Sequence, residues 1–151
     1  MSPFVGATVS AAEHQYGAWS WPPIAWGVAF GAINALSPLA FAWLDPSTVY
    51  AMAIPLIAAV YIGFAVADGR TNVIVVETII ATVFVVLAAA AVTETAWLLV
   101  AAYAGHGVKD LWQHRTHLVT NTRWWPPFCL TIDFIVAAIL VIEIAVGLDF
   151  R

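Results

Sequence analysis

Three histidines, the only lysine, two arginines, two aspartates and the only cysteine are crowded into residues 103–133, between apolar stretches that carry few charges. Within this region His106, Asp110 and His114 fall at i, i+4 and i+8, which on a helix sets them along one slowly drifting face. Imidazole and carboxylate on a single stripe can ligate a divalent metal ion or move a proton. Glu77 in the preceding apolar stretch and Asp133 in the following one bring carboxylates from two further elements. The candidate metal ligands are therefore His106, Asp110, His114, Glu77 and Asp133. The candidate catalytic groups are Glu77, His106, Asp110 and Asp133, acting through a metal that activates water or as a metal-free acid/base set.

The elements that must position these residues follow from composition. Of 151 residues 63% are hydrophobic and 9% charged, too little polar surface to cover a water-soluble globule. The chain is expected in a lipid bilayer as an all-α bundle. Its five basic residues form no run and the net charge is -4, which argues against a nucleic-acid partner. A single cysteine, Cys129, makes no internal disulfide and reads as a small buried hydrophobe.

Five apolar stretches approach the ~20 residues needed to cross about 30 Å of hydrocarbon. They are residues 24–44, 48–67, 73–92, 96–114 and 128–148. Their short links force neighbouring helices to run antiparallel, giving one five-helix transmembrane domain over 24–151. Residues 1–23 lack the marks of a cleaved signal peptide and read as a retained interfacial segment carrying Glu13, His14, Trp19 and Trp21. Asn34, Ser37 and Pro38 interrupt the first stretch and Pro55 the second, a pattern that kinks helices. With five crossings Arg70, Arg115 and Arg123 share a side with the N-terminus. The positive-inside rule then puts the N-terminus inside and the protein in the inner (plasma) membrane as a multi-pass chain.

That arrangement assigns depths. Glu77, Asp110 and Asp133 each lie four or five residues from the inner end of their stretch, so all three come to one level, about 6 to 8 Å below the boundary. His106 lies deeper, where an imidazole requires a partner. If the fourth helix ran one more turn, His117 would return close to the same face. Glu143, in the outer half of the last stretch, either extends a polar line from the site or meets a polar neighbour or another subunit.

The motif H-G-x-x-D-x-x-x-H-R, a short basic loop and R-W-W-P-P-F-C-x-x-x-D resembles the signature of a widespread, uncharacterised family of small bacterial and archaeal integral membrane proteins. The residues that carry the resemblance are His106, Gly107, Asp110, His114, Arg115, Arg123, Trp124, Trp125, Pro126, Pro127, Phe128, Cys129 and Asp133, with Glu77 similar to a carboxylate of the preceding span. It covers about the last half of the chain. The sequence departs at Gln113, where the family often has a second histidine beside His114. The resemblance implies an integral membrane fold and a shared polar site, and no named reaction.

A purely structural account of the same residues pairs Asp110 with Arg115, Lys109 with Asp133 and Glu77 with Arg70, with Lys109 snorkelling to the interface. Three classes of function remain open. The first is an enzyme with a metal or acid/base site acting on a lipid-like substrate. The second is a non-catalytic accessory subunit of a larger membrane complex, and the third an oligomeric transporter or proton path running through His106 to Glu143. The cofactor stays open, a divalent metal ion being the one candidate, and the expected partner is the bilayer, with a homo-oligomer or a larger membrane complex as candidates.

Overall fold

Pro38, Pro46 and Pro126 open helices, and left-handed caps at Gly69 and His117 end two of them. A computed structural model describes residues 21–120 and 123–150. The expected interfacial positions Glu13, His14 and Trp19 lie outside the described residues. Every regular element described is helical, in the order α1 (Trp21–Ala35), α2 (Ser37–Ala40), α3 (Pro46–Asp68), α4 (Thr71–Thr93), α5 (Trp97–Thr116) and α6 (Trp125–Ala145).

Three of these helices, α3, α4 and α6, are long and apolar enough to cross a membrane. At 23 residues α3 and α4 rise about 34 Å, enough for the hydrocarbon layer with modest tilt. They coincide with the second, third and fifth apolar stretches. The first stretch is broken. Pro38 has no N–H to give and its ring crowds the carbonyl four residues back, so α1 stops at Ala35 and a four-residue helix follows before the chain turns. Pro55 sits inside α3, which continues through it. Helix α5 spans 20 residues and is diluted by its polar side chains.

Helix α3 ends on Gly69 at φ 80°, whose N–H bonds the Ala65 carbonyl. Helix α5 ends on His117 at φ 50°, whose N–H bonds the Gln113 carbonyl. This left-handed cap turns the chain away at Thr116. The extra turn that would have returned His117 to the His106 face is therefore not formed. At the same end the Arg70 guanidinium grips Asp68 at 2.5 and 2.8 Å and donates to the Leu118 carbonyl at 2.6 Å, while the Thr120 N–H bonds Asp68 at 2.9 Å. Hydrogen bonding to Asp68 holds the Arg70 guanidinium above its ordinary pKa. The α3–α4 turn and the segment after α5 are thus tied together. Arg70 is committed to this clamp, not to Glu77.

Packing runs α1 on α6, α6 on α5, α5 on α4 and α4 on α3. Small residues bring the backbones close. A Cβ on Gly27 would lie 2.6 Å from Thr131 Cβ, and one on Gly107 would lie 3.2 Å from the Phe134 ring. Between the helices Tyr50, Ile54, Phe84, Leu99, Tyr103, Val136 and Leu140 form the main core. Outward stand large apolar side chains such as Leu56, Ile79, Val86 and Ile142, all at least 60% exposed, as a lipid-facing surface requires.

Candidate functional site

Helices α5 and α6 carry the centre, and Gly107 lets them approach closely enough to form it. His106, Asp110 and Asp133 each offer one ligating atom, and these atoms lie within 4.8 Å of one another. His106 Nδ1 is 2.8 Å from Asp133 Oδ2 and 3.7 Å from Asp110 Oδ2. The three residues are 0–2% exposed. Phe84 meets the imidazole edge-on at 5.0 Å and Tyr61 flanks it at 6.1 Å, so the ring is clamped between aromatic faces.

Glu77 belongs to an adjoining cluster. Lys109 Nζ lies 2.9 Å from Glu77 Oε2 and 3.0 Å from the centroid of the Tyr61 ring, joining an ion pair to a cation–π contact. The Gln113 amide donates to Glu77 Oε1, and the Val119 N–H donates to Gln113 Oε1 at 3.3 Å. Tyr61 bridges the two clusters, because its ring lies beneath the Lys109 ammonium and also flanks the His106 imidazole.

Two expected pairings are corrected here. Lys109 neither reaches Asp133 nor snorkels, but is buried against Glu77 and Tyr61. Arg115 is exposed on the far side of α5 from the buried Asp110. His114 is half-buried and stacks edge-on with His117 at 6.4 Å, so the structure does not bring it into the trio. Gln113 takes the buried position in its place. Lys109, Gln113 and Tyr61 are the contributors that residue-type reasoning passed over. The helical phase of Lys109 and Gln113 on α5 was the available signal, whereas nothing in the sequence singles out Tyr61.

Charge and hydrogen bonding are unbalanced at the centre. Glu77 has Lys109, but Asp110 and Asp133 share one imidazole. Asp133 Oδ1, His106 Nε2 and both Asp110 oxygens are buried with no hydrogen-bond partner among the described residues. Two anionic carboxylates are not tolerated in so apolar a setting without compensating positive charge. The arrangement suits a bound cation or a shared proton, either of which can serve acid/base chemistry.

An apolar groove lies between α1, α3 and α6. Trp26 and Phe30 from α1, Ile57 and Val60 from α3, and Phe128 and Cys129 from α6 line this groove of about 600 Å³. A second groove of about 350 Å³, past Leu56, continues between α1, α2 and α3 towards Trp43. Cys129 stands one turn before Asp133 on α6. At the opposite end of the bundle Glu143 accepts a hydrogen bond from the Tyr50 hydroxyl at 3.2 Å, and Tyr50 also donates to the Ala35 carbonyl at 2.7 Å. Glu143 thus meets a polar neighbour within the chain. No family model, curated protein or solved structure matches the chain.

Proposed function

We propose that the chain is a five-crossing integral protein of the inner (plasma) membrane, N-terminus inside, that performs acid/base chemistry on a lipid-like substrate at His106, Asp110 and Asp133. The observation that carries this reading is a buried His106–Asp110–Asp133 trio whose Asp133 stands one helical turn from Cys129, a residue that lines an apolar groove. In a bilayer the natural occupant of such a groove is a hydrocarbon chain, whose polar end would then lie near the aromatic cluster of Trp124, Trp125 and Phe128. His106 and Asp133 form the proton-handling pair, with Asp110 beside them. Glu77, neutralised by Lys109, holds the flank of the site. The shared signature with small bacterial and archaeal membrane proteins is part of the same reading.

Comparative lipid analysis tests it. Membranes from cells producing the wild-type chain or Asp133→Asn should differ in at least one lipid class, and a photoactivatable acyl lipid should label the groove residues Phe30 and Val60. Identical lipid profiles together with no groove labelling would remove the enzymatic reading.

A second reading is favoured by the near-complete burial of the trio and by the Lys109–Glu77 pair. In it the polar residues fix helix register in a non-catalytic accessory subunit, and the exposed apolar faces dock on a larger membrane complex. Co-purification of the natively produced chain with a larger assembly, with unchanged lipids in Asp133→Asn cells, would select it.

A further inference from the structure

The geometry points to one divalent transition-metal ion held by His106 Nδ1, Asp110 and Asp133. The inference rests on the reading above and names the group that would neutralise its site.

Charge is the first argument. Two carboxylates and a neutral imidazole around a dication sum to zero, a state that a low-dielectric interior accepts, whereas the trio by itself reaches neutrality only by taking up protons. The second argument is geometric. Bonds of about 2.0–2.1 Å at right angles leave cis ligands about 2.9 Å apart on an octahedral ion, close to the 2.8 Å between His106 Nδ1 and Asp133 Oδ2. The 3.7 Å to Asp110 is wider. Rotation of the Asp110 carboxyl closes it at no cost in hydrogen bonds, because neither of its oxygens is engaged in one.

The third argument concerns what the protein has left unsatisfied. Asp133 Oδ1 and the Asp110 oxygens are buried acceptors with no donor, an expensive condition unless something electropositive meets them. Donor chemistry then narrows the ion. One imidazole nitrogen with two carboxylate oxygens suits manganese, iron or zinc better than magnesium or calcium, which favour oxygen alone, and better than copper(I), which favours sulfur. Tyr61 and Phe84, whose rings flank the imidazole, would hold that ligand in orientation.

The full chain, purified in mild detergent and exposed to Mn²⁺, Zn²⁺ or Co²⁺ before desalting, should retain about one ion per chain by elemental analysis. Asp133→Asn and Asp110→Asn should each lose it at least tenfold while keeping the wild-type helical circular dichroism. His114→Ala should retain it, and loss there would overturn the assigned donor set. Where an asparagine variant fails to fold, the visible spectrum of the Co²⁺-loaded wild type decides. Bands of a nitrogen–oxygen ligand field support the trio, and a thiolate charge-transfer band from Cys129 overturns it. Wild-type protein that retains less than a tenth of an ion per chain overturns the inference outright. Groove labelling by the photoactivatable lipid separates the two readings. Labelling without metal leaves a metal-free acid/base site, and stoichiometric metal without labelling or lipid change leaves a structural ion.

Discussion

Lys109 holds its ammonium 2.9 Å from Glu77 and 3.0 Å above the Tyr61 ring, joining α5 to both α4 and α3 in the interior of the bundle. A buried pair contributes little net stability beyond what a well-packed apolar pair would give, but removing one partner strands the other charge. Lys109→Met should therefore destabilise the protein by about 3 kcal/mol in detergent unfolding experiments, the scale of breaking a buried pair. Glu77→Leu combined with Lys109→Met should recover most of that loss. A double variant as unstable as the sum of its parts would show that Glu77 is held by more than this charge.

Helix α1 depends on small residues facing α6. A methyl group at Gly27 meets Thr131 Cβ at 2.6 Å and the Phe128 carbonyl at 2.8 Å, and neither is the free end of a flexible side chain. Gly27→Ala should push α1 off α6 at a cost of about 1 to 3 kcal/mol, as overpacking does. Gly63→Ala, whose Cβ meets nothing within 4 Å, should be neutral or slightly stabilising. Thermal unfolding of the two variants side by side checks both. Equal stability would mean that the α1–α6 contact is looser than the backbone distances require.

Cys129 reports on the groove. It is buried from water yet lines an apolar cavity on the lipid side. In membranes, a lipid-soluble maleimide should modify Cys129 and a charged one should not. Val60→Trp, which fills the groove opposite, should slow the lipid-soluble reagent at least fivefold. Equal rates in wild type and Val60→Trp would separate Cys129 from the groove.

Much of the centre was legible because a helix fixes angular phase. From His106 to Asp110 the rotation is about 400°, or about 40° past one turn, so both fall on the buried face of α5. The same arithmetic explains why His114 does not join the trio. Eight residues turn about 800°, about 80° past two turns, while the seven to Gln113 turn about 700°, only about 20° short. A chemically plainer residue in better phase took the place, and its amide serves Glu77. Lys109, about 60° to the other side of His106, lies near the helix end, where a lysine is expected to snorkel. It stays inside because Glu77 and Tyr61 are both there, and contacts between helices are not written in one helix's periodicity. The break in the first apolar stretch was visible as Pro38. How far α1 then stood from α3, which opens the groove, depends on α1 packing on α6 through glycines whose partners no local pattern names.

Topology gives the sharpest check on the whole arrangement. The proposed five crossings would place the α3–α4 turn at Gly69 and the segment at Thr120 on one face, and the α4–α5 turn at Thr95 and the segment at Asp149 on the other. The first pair is bound together by Asp68, which accepts from both Arg70 and the Thr120 N–H, so the two segments form one surface patch. That face also carries the exposed Arg115 and Arg123, whereas the other carries Asp45, Glu94 and Asp149. The positive-inside rule then favours the first face in the cytoplasm. In a Cys129→Ala background, single cysteines at Thr95 and Asp149 should react with a membrane-impermeant maleimide on intact cells. Cysteines at Gly69 and Thr120 should react only after permeabilisation. The reverse pattern would invert the protein and put the His106–Asp133 pair near the outer headgroups. Labelling of Gly69 and Thr95 from the same side would mean that α4 does not cross at all, despite its 23 apolar-rich residues.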